Sequence, residues 1–311
     1  MIQYFNIVDR HTIATDKPGN GTWVNVLPPL KQEEFSELSN VLNIPLDFLK
    51  DSLDIDERSR YEADDDVKLI VIKTPTENNS FNESDAFYIT IPICIILTKG
   101  QIVTVNSFEN EAIKKFLNSF QNRHPDKRNM MVLKIFEKII NNYQDYLKEI
   151  NHRRNTLEQK LYAANRNEEL FQLMRIQKSL VYFVTAIRSN ELLLMKLART
   201  NFLQLNDDEK DFLDDLVIET SQALETANTY TNILVSTLDA FASIISNNQN
   251  EVLKRLTTIT MFLSIPVLIA SIYGMNVPVP FQHSVYAFWI PIAISLIILV
   301  YVVIKFFSRK K

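Results

Sequence analysis

Residues 256–275 read LTTITMFLSIPVLIASIYGM, and residues 285–304 read VYAFWIPIAISLIILVYVVI. Between Arg255 and Lys305 there is no Asp, Glu, Lys or Arg. Each run has the roughly 20 residues that an α-helix needs to cross a bilayer. Segment 276–284 between them is too short for a domain, so the two runs predict a transmembrane hairpin. The alternative is a pair of buried core helices. Adjacent charge-free runs of this length are hard to hide in a soluble fold.

The flanking charges set an expected orientation. Lys254 and Arg255 precede the first run, and Lys305, Arg309, Lys310 and Lys311 follow the second. The intervening loop has neither Lys nor Arg. Positive residues stay on the cytoplasmic side. Both termini are therefore expected in the cytoplasm of a multi-pass protein of the cell membrane, with the loop outside. The opening residues MIQYFNIVDR have no basic patch followed by an apolar core, so no cleaved leader is expected.

Composition excludes many functions of the remaining chain. Lys+Arg 33 against Asp+Glu 37 leaves a net charge of −4, without the basic excess of a nucleic-acid binder. The single cysteine, Cys94, rules out a disulfide framework and multi-cysteine metal sites. The histidines, His11, His124, His152 and His283, form no metal-ligand spacing. Gly19, Gly21, Gly100 and Gly274 are too scattered for a phosphate-cradling loop. No catalytic constellation is visible, so an enzyme is not expected.

The pattern predicts an α+β membrane protein. Residues 1–125 read as a cytosolic α/β domain. Its strands are expected at 2–8, 22–27, 67–73, 87–97 and 101–105, and its helices at 32–42, 46–53 and 109–120. The acidic stretch 51–66 ends in Asp64-Asp65-Asp66, which reads either as a cation ligand or as a solvated turn before a strand. Residues 126–205 read as an antiparallel helical pair joined near Asn165. Asn206-Asp207-Asp208-Glu209 then reads as a helix start, with an Asn or Asp cap and acids in the first turn, as the helix dipole favours. No proline follows until Pro266. One helix is thus expected to comprise a cytosolic stalk, 206–255, and the first span, 256–275. The second span, 285–304, leads to a basic tail, 305–311.

That long helix carries a polar seam. Steps of four and three residues from Glu225 give Thr229, Asn232, Ser236, Asp239, Ser243, Ser246, Asn250, Leu253, Thr257, Thr260, Ser264, Val267, Ser271 and Gly274. Within 256–275 the seam holds five polar or glycine residues in six places, and the other fourteen places hold one, Thr258. A stripe repeating every 3.5 residues keeps to one side of a left-handed supercoil. Polar side chains at membrane depth face a bundle interior or a wet cavity. One helix encloses nothing, so the seam predicts a homo-oligomer around a central polar channel. The plainer reading is that Ser and Thr hydroxyls bond their own helix or let helices pack closely. Leu253 and Val267 interrupt the seam, either as dewetting constrictions or as bundle-stabilising contacts. Asp239 is either a carboxylate ring at the pore entrance or a solvated side chain.

The first span ends in Tyr273-Gly274-Met275-Asn276. With its short loop, C-terminal second span and basic tail, the chain resembles the CorA family of magnesium channels, whose signature is Gly-Met-Asn at the outer end of the first span. Asn250-Glu251-Val252, Tyr61-Glu62 and the 102–106 strand also look like family sequence. The resemblance implies a homopentamer in the lipid bilayer that takes up Mg²⁺ driven by membrane potential. It places Gly274, Met275 and Asn276 at the outer pore mouth, with Asn276 selecting hydrated Mg²⁺. Asn250 matches an inner polar ring and Leu256 a hydrophobic constriction. Ser264 stands where the family often has methionine. Asp215 falls, by counting, where the family has a stalk carboxylate of a regulatory Mg²⁺ site. The family's outer loop commonly carries an acid, but here VPVPFQHS has none, and only His283 offers a ligand for a softer metal. Two rivals stand beside this reading. One is a Zn²⁺, Co²⁺ or Ni²⁺ transporter or exporter of the same fold. The other is a non-conducting, membrane-anchored helical sensor or scaffold.

Overall fold

A computed structural model describes residues 2–8, 11–15, 19, 22–27, 32–52, 54–78, 85–106, 111–120, 128–164, 167–280 and 283–308. Residues around the expected 125/126 boundary, Asn165, His124, Gly21 and the tail residues Arg309, Lys310 and Lys311 lie outside them. The chain divides into two units, Met1–Leu238 and Asp239–Lys311.

The first unit is built on a mixed seven-stranded sheet. Its strands are β1 (Ile2–Val8), β2 (His11–Thr15), β3 (Trp23–Val26), β4 (Arg60–Asp64), β5 (Val67–Glu77), β6 (Tyr88–Leu97) and β7 (Ile102–Asn106). The spatial order is β2-β1-β3-β7-β6-β5-β4, with β3 and β7 parallel and the other neighbours antiparallel. β6 and the Leu69–Ile72 run of β5 are almost continuously apolar and buried, the pattern of strands covered on both faces.

Helices α1 (Gln32–Leu42) and α2 (Leu46–Asp51) cover one face. Phe35, Leu38, Phe48 and Leu49 pack there against Val24, Leu69, Val71, Cys94 and Val103. Asn43 ends α1 at φ 54° and lets Ile44 N–H reach back to Ser39 O at 3.0 Å, a left-handed helix stop. Helices α3 (Glu111–Phe120), α4 (Arg128–Ala164) and α5 (Asn167–Thr200) lie against the sheet's other elements. Trp23 is fully buried between Phe5 and Phe116, and its indole N–H donates to Thr104 Oγ1 at 3.0 Å.

Asn190 of α5 closes a gap in the sheet. β4 pairs with β5 only as far as Arg60↔Val71, two residues short of Lys73. The buried Asn190 amide supplies the missing partner. Its Nδ2 donates to Lys73 O at 2.7 Å, and its Oδ1 accepts from Lys73 N–H at 3.0 Å and from the Ser59 hydroxyl at 2.7 Å. Pro92 of β6 lies one residue beyond the last pair with β7, Ile93↔Asn106, where no donor is required.

Helix α6 (Asp207–Tyr273) is 67 residues long, about 100 Å at 1.5 Å per residue. It opens with a capping box. Asn206 Oδ1 accepts from Glu209 N–H at 2.9 Å, and Glu209 Oε2 accepts from Asn206 N–H at 3.0 Å. Its first half runs parallel to α4. Lys134 sits over the Phe212 ring, Arg154 over Tyr230, and the Thr237 hydroxyl donates to Glu158 at 3.1 Å. Leu213, Leu216, Ala223, Ala227 and Leu234 form its buried face.

In the second unit, helix α7 (Trp289–Ser308) starts four residues later than the apolar run that announces it. Residues 284–288 form turns instead. Tyr286 N–H donates to the Ser284 hydroxyl at 3.2 Å, and Ala287 N–H to Ser284 O at 3.0 Å. Pro291 sits in the first helical turn, where no N–H is needed. The upper part of α6 and α7 are both long and apolar enough to cross a membrane. Phe262 and Phe306 meet edge to face, their ring centroids 5.8 Å apart.

Asn190→Ala strands the Lys73 amide and carbonyl in a buried place. It is expected to destabilise the first unit by about 2–3 kcal/mol. Native-state hydrogen exchange at the Lys73 amide measures the loss directly.

Candidate functional site

The polar seam of α6 occupies the side of the helix that the chain itself leaves open. Each of the fifteen seam positions from Glu225 to Gly274 is exposed. In the first half the buried face is Leu213, Leu216, Thr220, Ala223, Ala227 and Leu234. In the apolar half the half-buried residues are Thr258, Phe262, Ile265, Pro266, Ile269 and Tyr273. This second set shares a face with Phe262, the residue that touches α7. At about 100° per residue, it lies on roughly the opposite side of the helix from Thr257, Thr260, Ser264, Val267, Ser271 and Gly274. Sequence reasoning found the polar stripe and overlooked this apolar stripe. Phe262, Ile269 and Tyr273 at helical spacing were its signal.

Carried N-terminally with the same steps, the stripe passes through Gln222, Ile218, Asp215 and Asp211, all exposed. In the first unit Asp215 thus falls on the continuation of the stripe, while in the second unit Leu256 stands beside it. Among the described residues no three His, Cys, Asp or Glu side chains of one chain converge to hold a metal ion.

The seam hydroxyls have a defined polarity. Thr257 Oγ1 donates to Leu253 O at 2.8 Å, Thr260 Oγ1 to Leu256 O at 2.9 Å and Ser264 Oγ to Met261 O at 2.8 Å. With the hydrogen committed to the helix, each oxygen presents only lone pairs outward. The back-bonding anticipated as the plainer reading thus occurs, and it leaves a row of outward acceptors.

At the top of α6 the helix winds off across the motif. Gly274 N–H donates to Ala270 O at 2.9 Å, and Met275 N–H to Ile272 O at 3.3 Å. The Tyr273 hydroxyl reaches Pro280 O at 3.4 Å. Asn276 follows in a bend, exposed. A Cβ placed on Gly274 would come no closer than 3.4 Å to any heavy atom, Ala270 O. Among the described residues nothing demands glycine there. In the loop beyond, His283 is exposed, while Phe281 and Gln282 lie outside the described residues.

The acidic stretch of the first unit is organised by Arg60. Its guanidinium binds Asp51 at 2.6 Å, Glu57 at 2.8 Å and Glu62. Burial nevertheless holds the Asp51 carboxyl above its ordinary pKa, with Arg60 opposing. Asp65 and Asp66 form the β4–β5 turn, with Asp65 at φ 48° and Asp66 paired with Lys99. Here the turn reading of Asp64-Asp65-Asp66 describes the structure.

A family model described as CorA-like Mg²⁺ transporter protein matches residues 19–311. The chain belongs to the CorA family. The cobalt/magnesium transport protein CorA of Methanocaldococcus jannaschii is 27% identical over 283 residues, covering 89% of this chain and 87% of that protein. The protein of the same description from Thermotoga maritima is 22% identical over 297 residues, covering 93% and 83%. The complete structure of the M. jannaschii CorA magnesium transporter superposes with a TM-score of 0.82 at 25% identity, over 97% of this chain and 96% of that one. The expected fold class, a soluble α/β domain followed by long helices and a C-terminal apolar helix, is that of this CorA family member.

Gly274→Ala tests whether the motif glycine serves the single chain. The local geometry predicts a stability change within about 0.5 kcal/mol, measured by thermal unfolding in detergent. A transport defect without an unfolding defect then locates the glycine's constraint between chains.

Proposed function

We propose that this chain forms a homo-oligomeric channel-type transporter for divalent cations, with Mg²⁺ the principal cargo, in the pentameric arrangement that the family resemblance implies. One observation carries the reading: a polar stripe runs the length of α6, through its membrane-spanning part, opposite every face that the chain packs internally. A polar stripe at membrane depth requires polar surroundings. Copies of α6 gathered about an axis provide them. The names of the relatives supply the cargo, cobalt and magnesium.

The chemistry of the stripe suits a hydrated cation. Mg²⁺ gives up its water shell reluctantly, and the waters of that shell point hydrogens outward. Asn276 amide oxygens at the mouth accept those hydrogens without stripping the ion. Met275 and Gly274 complete the filter region. The oxygens of Thr257, Thr260 and Ser264 continue as acceptors inward, and Ser271 adds a further hydroxyl. Val267, Leu256 and Leu253 form apolar rings that dewet when narrow. Asn250 and Asp239 receive the ion on the cytosolic side. Asp215 faces neighbouring copies and binds Mg²⁺ as a regulatory ligand between them. With both termini cytoplasmic, an interior-negative potential drives uptake. A divalent ion gains about 4.6 kcal/mol per 100 mV, enough for an accumulation of roughly 10³-fold.

Ion flux into proteoliposomes tests the reading. Mg²⁺ uptake is expected to exceed Zn²⁺ uptake and to fall when the potential is collapsed. Asn276→Ala is expected to lower Mg²⁺ flux at least about tenfold, as expected when a filter ligand is lost. Absence of flux for every ion would leave the scaffold reading in place, and full flux through Asn276→Ala would remove that residue from the filter.

Thiol accessibility tests the lumen separately. Cys94 is fully buried with its thiol pKa pushed up by burial, so it stays silent. Thr260→Cys and Ser264→Cys are expected to react with a small water-soluble thiol reagent. Thr258→Cys and Ile269→Cys, on the α7 side, are expected to resist. Equal reactivity on both sides of α6 would contradict a wet stripe.

A further inference from the structure

The loop end of α7 carries an apolar cluster outside the helix. Val285 is 92% exposed, Tyr286 67%, Phe288 69% and Trp289 64%. The sequence assigns these residues to the span, but the structure places Val285 to Phe288 in turns before α7 begins. The helix does not need them to cross. From Trp289 to Ser308 it rises about 28 Å, close to the thickness of a hydrocarbon core. Lys305, whose ammonium lies 5.7 Å from the Tyr301 ring, is the one charge of α7 and stands one turn inside Ser308. Residues 285–288 therefore sit just beyond the hydrocarbon.

Their backbone suits that zone. The N–H groups of Tyr286, Ala287, Trp289 and Ile290 are all bonded within the turn, to Ser284 Oγ, Ser284 O and Tyr286 O. With these four amides satisfied, the turn enters a partly dry layer at reduced cost. The Phe288 and Trp289 rings meet edge to face at 5.4 Å, forming one compact aromatic body. No charge lies between Arg255 and Lys305 to hold the segment in bulk water. Tyr and Trp favour the headgroup level, where an apolar ring and a polar edge are both accommodated.

We infer that Val285, Tyr286, Phe288 and Trp289 form an in-plane anchor that inserts into the headgroup–acyl boundary of the leaflet opposite the basic tail. Its occupant is lipid, because the cluster is continuous with the bilayer-facing helix that it precedes. The anchor fixes the depth of α7 and ties the outer loop to the membrane surface. The inference rests on the two-span reading but not on conduction.

The full-length protein in phosphatidylcholine vesicles provides the test. Trp289 and Trp23 are the two tryptophans, and Trp23 is fully buried in the sheet core. The difference between wild type and Trp289→Phe isolates Trp289 emission. Lipids brominated near the headgroup are expected to quench it at least about twice as strongly as lipids brominated near the chain ends, as an interfacial indole requires. Strongest quenching by the deep label would place the segment within the span and overturn the anchor. Quenching by aqueous iodide without quenching by either lipid would place it in water. Protection from all three quenchers would mean that another copy of the chain covers it. Val285→Cys with an environment-sensitive thiol dye repeats the measurement without touching either tryptophan, because Cys94 is buried. Vesicle flotation separates the two levels of failure. Protein that does not float with lipid refutes the two-span reading itself, whereas protein that floats with a water-exposed Trp289 refutes only the anchor.

Discussion

A polar surface cannot face hydrocarbon, and α6 carries one through the apolar part of the chain. That constraint governs everything the C-terminal unit does. The chain spends its own packing on the other side of the helix: α4 against the first half, and α7 against Phe262 in the apolar half. Among the described residues nothing covers Thr257, Thr260, Ser264 and Ser271. In the proposed assembly, identical copies of the same stripe meet that requirement. Membership of the CorA family rests on independent grounds, the match of residues 19–311 and the superposition over nearly the whole chain.

Within the proposed assembly, the loop's lack of acid and the serine at position 264 push the chemistry in one direction. Both leave cation recognition to neutral oxygens. Such oxygens interact with a hydration shell rather than with the bare ion, and they release it readily. The lone Cys94 is sealed in the sheet, so no thiol is available at the stripe to trap a softer metal.

Much of this was legible in the sequence because it depends on long, regular patterns. The two apolar runs, the proline-free stretch to Pro266 and the 3.5-residue seam each average over many residues, so local exceptions do not disturb them. The edge strands were harder. β4, Arg60–Asp64, reads as part of an acidic stretch because charged side chains protect an edge from further pairing. β2, His11–Thr15, is a short edge strand with little apolar signal. The start of α7 was displaced because hydropathy records where a residue is comfortable, not whether its backbone is helical. Tyr286 and Phe288 are apolar enough for the span, yet the Ser284 hydroxyl draws the chain into a turn. The roles of Asn190, which completes a strand from a helix 117 residues away, and of Arg60, which gathers three carboxylates, depend on tertiary proximity that no local pattern records.

The back-bonded hydroxyls also bear on protons. A side chain relays a proton only if its oxygen accepts one hydrogen while releasing another. Thr257, Thr260 and Ser264 have their hydrogens tied to carbonyls one turn below. Along this stretch they form no Grotthuss wire. In the proposed channel, a leak of protons along this stretch travels through water alone, and an apolar ring that breaks the water column stops proton and metal ion at once.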